Sequence, residues 1–415
     1  LEDALGAFNK AISIKPDFSE AWSNINFPLQ AIKANLSSEE EIVSYYPDVS
    51  ASKYTQIAQA ILDYRLHLAG SHTESAMSKA LKALANAENS TIQSPDFQNK
   101  SMDLETLYPH KIIALAHFGR SGTGLLHSLI DGHPEVSTLP SIYLSEYFDH
   151  YTWEKIISGG WNEMADRFIS IYDVLFDANS AVPIRSKSGK EIRHLGKKEG
   201  MANVGGERDE VLCADKILFR SELGRLIDHH EELDALIFFK LVHEAFDRTT
   251  NDLNQKKIIF YHIHNPDTYA QLNFVNSSKD TNWVIMVREP IQSCEAWIRN
   301  RFKKNHISGC LNRISTMLFE IDNIVYHKQP SIGVRLEDLK EYPHKTIPAL
   351  CEWMGIKETE SLYEMTAQGK KWWGDPSSPD YSKDGMDPFG KTSINRKVGT
   401  IFSENDQFIL RTLFY

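Results

Sequence analysis

The stretch from Lys111 to Ile130 limits the possible folds more than any other part of the chain. Lys111-Ile112-Ile113-Ala114-Leu115-Ala116-His117-Phe118 is a short, mostly apolar run, and Gly119-Arg120-Ser121-Gly122-Thr123-Gly124 is a glycine-containing turn. Leu125, Leu126, Leu129 and Ile130 then recur at helical spacing. The run predicts a buried parallel strand over 111–118, and the recurrence predicts an amphipathic helix. Strand, tight turn and helix in that order aim backbone N–H groups and a helix N-terminus at an anion. Gly119, Gly122 and Gly124 permit close backbone approach, Ser121 and Thr123 add hydroxyl donors, and Arg120 places a fixed positive charge in the turn. The turn is a candidate phosphate cradle.

From Tyr108-Pro109 onward the pattern alternates between β and α segments, with candidate strands at 111–118, 235–242, 257–263, 282–287 and 331–336. Such alternation predicts an α/β fold of three layers, a central, mostly parallel sheet with helices on both faces. Residues 179–210 read as a long insertion of little periodicity. Residues 374–396, rich in Gly, Pro, Ser and Asp, read as a surface loop.

The turn is not of the ATP-binding type, which needs Gly-x-x-x-x-Gly-Lys-Ser/Thr with lysine on the terminal phosphates and the hydroxyl on magnesium. Here the basic residue comes before Ser121, and no Gly-Lys-Ser/Thr follows. Arg120-Ser121-Gly122-Thr123, the leucine-rich helix and His133-Pro134-Glu135-Val136 together resemble the donor loop of sulfotransferases that use 3′-phosphoadenosine 5′-phosphosulfate (PAPS). The likeness is closest to the tyrosylprotein branch and to the bacterial branch that carries tetratricopeptide (TPR) repeats. Cytosolic members usually have lysine where Arg120 stands.

Later motifs follow the same family order. Trp283-Val284-Ile285-Met286-Val287 is a buried strand that ends in Arg288-Glu289-Pro290, at the carboxyl edge where doubly wound sheets bind ligands. In sulfotransferases a strand followed by Arg-x-Pro binds the donor's 3′-phosphate, which implies that role for Arg288. A guanidinium suits it, because its fork gives paired hydrogen bonds to phosphate. The family's serine eight residues later is Ala296 here, and Ser293 is a plausible substitute. Asn395-Arg396-Lys397-Val398-Gly399 resembles the Arg-Lys-Gly loop that closes over the same phosphate, with Val398 interposed. Ser331 to Leu339 resembles the late strand and Arg-Tyr-Glu-Asp-Leu turn, and Cys351 to Ile356 the Phe-Leu-Gly-Leu segment.

His262-Ile263-His264-Asn265-Pro266 closes the 257–263 strand and leaves three readings open. Cytosolic sulfotransferases have Lys-x-His-x-Pro there, so the resemblance implies His264 as general base, with His262 in place of the lysine. Two histidines at strand spacing share a face and could chelate a metal, or they could simply be hydrogen-bonded at a strand end. The rival base is a glutamate that tyrosylprotein and Golgi carbohydrate enzymes carry after His-Pro-x-Val. Ser137 to Ile142 holds no carboxylate, and Glu146 lies a few residues beyond. A neutral histidine near pH 7 needs no special tuning for such work, whereas a carboxylate does.

Composition sets the outer limits. A chain of 415 residues with 41% hydrophobic and 24% charged residues is ordinary globular material with room for two or three domains. Its net charge of −11 argues against general nucleic-acid binding and requires local positive charge to hold a polyanion. Cys213, Cys294, Cys310 and Cys351 are widely spaced, which fits reduced intracellular thiols. No apolar run has the length of a membrane span and no signal-peptide pattern opens the sequence. Leu1 opens the chain inside a motif, so the natural N-terminus and any targeting segment are expected upstream.

Ala4, Phe8, Ala11 and Pro16 have the spacing of the second helix of a TPR unit, and Trp22, Ile25 and Asn26 fit the start of another before Pro28 breaks the pattern. Residues 1–27 are therefore expected to be the tail of a TPR array. Residues 28–100 read as a helical segment, with Ser38 capping a helix at Glu39-Glu40-Glu41, and a linker from Asn86 to Ser101. Residues 108–415 are the sulfotransferase-like domain.

The resemblance implies an enzyme that moves a sulfuryl group from PAPS to a hydroxyl or amine, leaves 3′-phosphoadenosine 5′-phosphate (PAP), and needs no metal. Gly119, Arg120, Ser121, Gly122, Thr123 and Gly124 would hold the phosphosulfate, with Arg288, Ser293, Arg396 and Lys397 on the 3′-phosphate. A bacterial cytoplasmic location follows from the same branch, and a TPR surface implies a protein partner. The acceptor stays open between tyrosyl peptide, sugar, lipid and small phenol or amine. Two other readings stand beside this one: a P-loop nucleotide kinase, and a TPR scaffold with a degenerate domain that binds PAPS or PAP without turnover.

Overall fold

The computed structural model describes residues 2–15, 21, 91–95, 108–117, 119–139, 144, 147–148, 150–180, 184–185, 191–192, 201–250, 252, 254–263, 274–275, 277–307, 309–311, 313–314, 317, 330–395 and 398–414. The chain divides into two compact units, 1–90 with 268–277, and 91–267 with 278–415. In the first, helix α1 (Glu2–Ile14) carries the pattern of Ala4, Phe8 and Ala11. The remaining TPR positions, Pro16, Trp22, Ile25, Asn26 and Pro28, lie outside the described residues, as does the expected helix after Ser38.

The second unit is built on five parallel strands: β1 (Lys111–His117), β2 (Val136–Ser137), β3 (Ile258–His262), β4 (Asn282–Val287) and β5 (Ser331–Arg335). Their order across the sheet is β5-β4-β1-β3-β2, with β1 in the centre. The helices are α2 (Thr123–Asp131), α3 (His150–Ile157), α4 (Met164–Ile171), α5 (Lys216–Ile227), α6 (Ala235–Thr249), α7 (Pro290–Lys303), α8 (Leu336–Glu341), α9 (Pro343–Met354) and α10 (Glu404–Phe414).

Strand alternation explains why both faces are covered. Ile113 and Leu115 of β1, Phe260 of β3 and Met286 of β4 join Leu125, Leu126 and Leu129 of α2 in one buried cluster with Leu350 and Met354 of α9. Tyr261, the next residue of β3, packs on the other face, its ring 5.0 Å from Phe239 of α6. Tyr147 and Phe148 each stand 5.2 Å from the same Phe239. The fold is thus α/β with a parallel central sheet between helical layers. His133-Pro134-Glu135 forms the corner before β2. His133 Nδ1 accepts from Glu135 N at 3.1 Å, and Glu135 O accepts from Lys257 N at 2.8 Å, which fixes β2 beside β3.

One expected strand is a helix. Residues 235–242 open α6, because Asp234 accepts from Ile237 N at 2.7 Å as an N-cap and the buried set runs on past Val242 to Ala245, Phe246 and Thr249. An eight-residue apolar run cannot separate strand from helix; the longer spacing decides it. Smaller differences are boundaries: β1 ends at His117, and Leu336 belongs to α8 rather than β5. Ile92–Gln93, inside the stretch read as a linker, pairs antiparallel with Glu232–Leu233. The insertion holds two short hairpins, Ile184–Arg185 with Glu191–Ile192 and Ala202–Val204 with Glu210–Val211.

The late loop is more than a surface loop. Tyr381–Ser382 and Gly385–Met386 form a hairpin, and Trp373 is held between Arg208 and Lys371, 3.8 and 3.9 Å from its ring centroid. Trp373 Nε1 also donates to Gly205 O at 2.8 Å, while Trp372 packs on the main core. Both indoles join the loop to the body.

Candidate functional site

The turn between β1 and α2 has the backbone its glycines foretell. Gly119, Arg120 and Gly122 take φ of 38°, 44° and 93°, in the left-handed region. A Cβ on Gly122 would lie 2.7 Å from Leu336 Cδ1, and one on Gly119 3.0 Å from Trp297 Cε3. Glycine is therefore required twice over, by conformation and by space. Gly122 is the N-cap of α2 and no side chain caps the helix; its first internal bond runs from Leu126 N to Gly122 O at 3.1 Å. The leading N–H groups of α2 and the positive end of its dipole consequently face the turn. Ser121 and Thr123 are buried in the turn, whereas Arg120 and Gly124 are exposed, and a Cβ on Gly124 would meet nothing within 4 Å.

Arg288 stands at the same carboxyl edge. β4 runs beside β1 with Met286 opposite His117, so both chains leave the sheet together, one into Gly119 and the other into Arg288. Ser293, one turn into α7, donates its hydroxyl to Gly119 O and ties the two exits together. Arg288 is buried; its Nη2 donates to Gln292 Oε1 at 2.9 Å and to Ser393 O. Glu289 caps α7 by accepting from Gln292 N at 2.7 Å. Glu337 accepts from Glu289 N at 3.0 Å, so the first acidic residue of the Arg335-Leu336-Glu337-Asp338-Leu339 turn braces the strand end, as a structural role requires.

The C-terminal basic pair falls outside the described residues, but both its flanks are attached to α7. Upstream, Ser393 O receives Arg288, and Ile394 O receives Gln292 Nε2 at 3.1 Å. Downstream, the Glu295 carboxylate accepts from Gly399 N and Thr400 Oγ1 at 2.8 Å and from Ile401 N and Phe402 N at 3.2 Å. Burial pushes the Glu295 pKa up, but these four donors outweigh it and hold the carboxyl below its ordinary value. Residues 393–394 and 399–402 are thereby held at Arg288 and the helix that begins two residues after it.

His264 and Glu146 lie outside the described residues. β3 ends at His262, which pairs across the sheet with Leu115 and whose ring is 5.4 Å from that of His127 on α2. His127 begins a buried polar group absent from the expected site. Ser137 Oγ and His243 Nδ1 are 3.0 Å apart, and Ser137 also hydrogen-bonds Asp247. Burial, with the nearby His127, lowers the His243 pKa to about 3, and burial raises that of Asp247 to about 8. His243 and Asp247 are four residues apart on α6, beyond the end of the strand expected at 235–242. Among the described residues no group of three or more His, Cys, Asp or Glu is placed to hold a metal ion.

No protein-family model matches the sequence, and no curated protein matches it. Among solved structures, the chain is similar to the sulfotransferase domain of the olefin synthase of Synechococcus PCC 7002, at 13% identity over 77% of this chain and 98% of that one, with a TM-score of 0.37. It is also similar to the sulfotransferase domain from the curacin biosynthetic pathway, at 15% identity over 74% and 98% of the two chains, with a TM-score of 0.36. A third is the sulfotransferase STF1 of Mycobacterium tuberculosis H37Rv, at 13% identity over 76% and 87%, with a TM-score of 0.27.

Proposed function

We propose that the second unit is a sulfotransferase that takes a sulfuryl group from PAPS and gives it to a hydroxyl or amine. The observation that carries this reading is the link between the turn at Gly119 and the exit of β4 at Arg288, made by Ser293 at one sheet edge. One bisphosphorylated nucleotide needs two anion-binding places at a fixed separation, and that link supplies the separation.

In this reading the N–H groups of residues 119–124, with Arg120, bind the 5′-phosphosulfate and offset charge growing on the leaving phosphate oxygen. Arg288 binds the 3′-phosphate, with Arg396 and Lys397 closing over it, and Ser293 sets the spacing between the two halves. That remote grip orients the sulfuryl group in line with the acceptor. His264 removes the acceptor's proton as the new S–O or S–N bond forms, with Glu146 as the rival base. Exchanging His264 and Glu146 for alanine, one at a time, separates them by the pH–rate profile: only loss of the base removes its acidic limb.

The test of donor binding is calorimetry with PAP on wild type and Arg288→Ala. Wild type is expected to bind in the micromolar range, with a loss of about a hundredfold in the variant, the size expected for a buried bidentate phosphate contact. Equal affinities in the two proteins, or tighter binding of ATP than of PAP by wild type, would remove the assignment.

A further inference from the structure

Ser293, Trp297 and Arg301 are four residues apart along α7 and share one face of it. That face starts at the donor turn. Ser293 touches Gly119 O, and a Cβ on Gly119 would lie 3.0 Å from Trp297 and 3.1 Å from Met317 Sδ. Arg301 stands one turn further out, about 12 Å along the helix from Ser293. The returning chain brings Arg313 to the same indole. Its guanidinium carbon is 4.6 Å from the Trp297 ring centroid, and Nη1 donates to Trp297 O at 3.4 Å. Arg301 Nη1 is 3.4 Å from His306 Nδ1. Exposed Arg120, in the turn itself, is a third guanidinium, and its charge acts on Arg313 as that of Arg301 does.

Among the described residues none of these three arginines forms an ion pair, whereas Arg167, Arg220, Arg225 and Arg248 each face a carboxylate. Burial and the like charges of Arg301 and Arg120 depress the Arg313 pKa. Gathering positive charge with no ion pair among the described residues is unfavourable in itself, and in a chain of net charge −11 it runs against composition. An anion arriving at Trp297 relieves it. The donor's two anionic ends are already provided for at the inner end of α7, so the outer pair is left for the other substrate.

We infer that Arg301 and Arg313 select an acceptor that carries its own negative group, a carboxylate, phosphate or sulfate, beside the hydroxyl or amine that is sulfated. The inference rests on the sulfuryl-transfer reading above and narrows its acceptor class. A planar guanidinium on an indole, with a second guanidinium one turn further along the indole's helix, suits an oxyanion on a flat or ring-bearing molecule, since the ring stacks while the fork binds the anion.

The test uses the full chain saturated with PAP and three phenols of similar size as probes: 4-hydroxyphenylacetate, 4-ethylphenol and tyramine. Calorimetry is expected to give about tenfold tighter binding of the carboxylate than of the neutral phenol, and the amine is expected to bind weakest. The double variant Arg301→Gln, Arg313→Gln should bring the carboxylate down to the neutral phenol's affinity while PAP affinity stays within about twofold. Arg313→Lys, which keeps the charge, should restore part of the preference. Equal binding of the three probes, or no binding of any, overturns the inference. So does a collapse of PAP affinity in the double variant, which would give the cluster to the donor. Failure of wild type to bind PAP strikes the transferase reading instead, so the two failures are distinguishable.

Discussion

Lys340→Ala is expected to destabilise the protein by about 3–5 kcal/mol, as removal of one partner from a buried ion pair does. Lys340 Nζ lies 2.7 Å from Asp380 Oδ2, with side-chain exposures of 3% and 0%. Burial pushes the Asp380 pKa up, but Lys340 and Ser393 donate to the carboxylate and together hold it below its ordinary value. Without Lys340 the charge is buried and underpaired. Urea unfolding of the variant measures the loss, and less than about 1 kcal/mol would show that water reaches Asp380. Lys340→Met combined with Asp380→Leu should recover only part of it: an apolar pair of similar volume removes the desolvation cost of both charges, but Ser393 N and Gly390 O each lose a partner. The change also reaches the candidate site. Asp380 Oδ1 accepts from Ser393 N at 3.1 Å, Lys340 Nζ donates to Gly390 O at 2.9 Å, and Ser393 O receives Arg288. PAP affinity should therefore fall in Lys340→Ala although Lys340 touches no phosphate in the proposed complex.

Asp247→Asn should raise stability at alkaline pH by several kcal/mol. The Asp247 carboxyl is buried near Glu244 and Asp252, with Lys256 and Ser137 as its offsetting neighbours, and its pKa is pushed up from 3.8 to about 8. Its Oδ2 has no hydrogen-bond partner among the described residues. A raised folded-state pKa means that the folded form binds the extra proton. Stability is then full below the unfolded pKa near 4 and falls as pH rises towards 8, by roughly 5 kcal/mol for such a displacement. Asparagine carries no charge, so the variant escapes that fall and should lead wild type at pH 9 by a few kcal/mol, the lead vanishing near pH 4. His243 acts in the opposite sense: with its pKa lowered to about 3, its contribution is present above the ordinary histidine value and is lost as pH falls through 6 to 3. Thermal melts from pH 4 to 9 should thus show a wild-type maximum on the acid side of neutrality, displaced upward in Asp247→Asn. Identical pH profiles for the two proteins would mean that Asp247 is ionised in the folded state.

The sequence was most informative where backbone chemistry left few choices. Gly119 and Gly122 require positive φ and close approach, and the short, mostly apolar blocks expected as strands at 257–263 and 282–287 form buried strands beside 111–117. Those features are local, so they are legible in order along the chain. The strand prediction at 235–242 failed because the decisive residues, Asp234 as cap and Phe246 and Thr249 as continued core, lie outside an eight-residue window.

Partnerships between distant residues could not be read in the same way. Ser293, expected beside the phosphate, also donates to the Gly119 carbonyl, and Glu295 gathers four donors from residues 399–402. The fold returns Arg313 to Trp297, sixteen residues earlier, a contact that no local pattern marks. The sequence by itself determined the glycine turn between strand and helix, the parallel α/β architecture and the arginine at the end of a buried strand, because each depends on φ, periodicity or strand position. Only the tertiary structure decided which carboxylate neutralises which cation and which guanidiniums form no ion pair among the described residues, because long-range electrostatics depends on distance and desolvation, and neither is encoded at any single position.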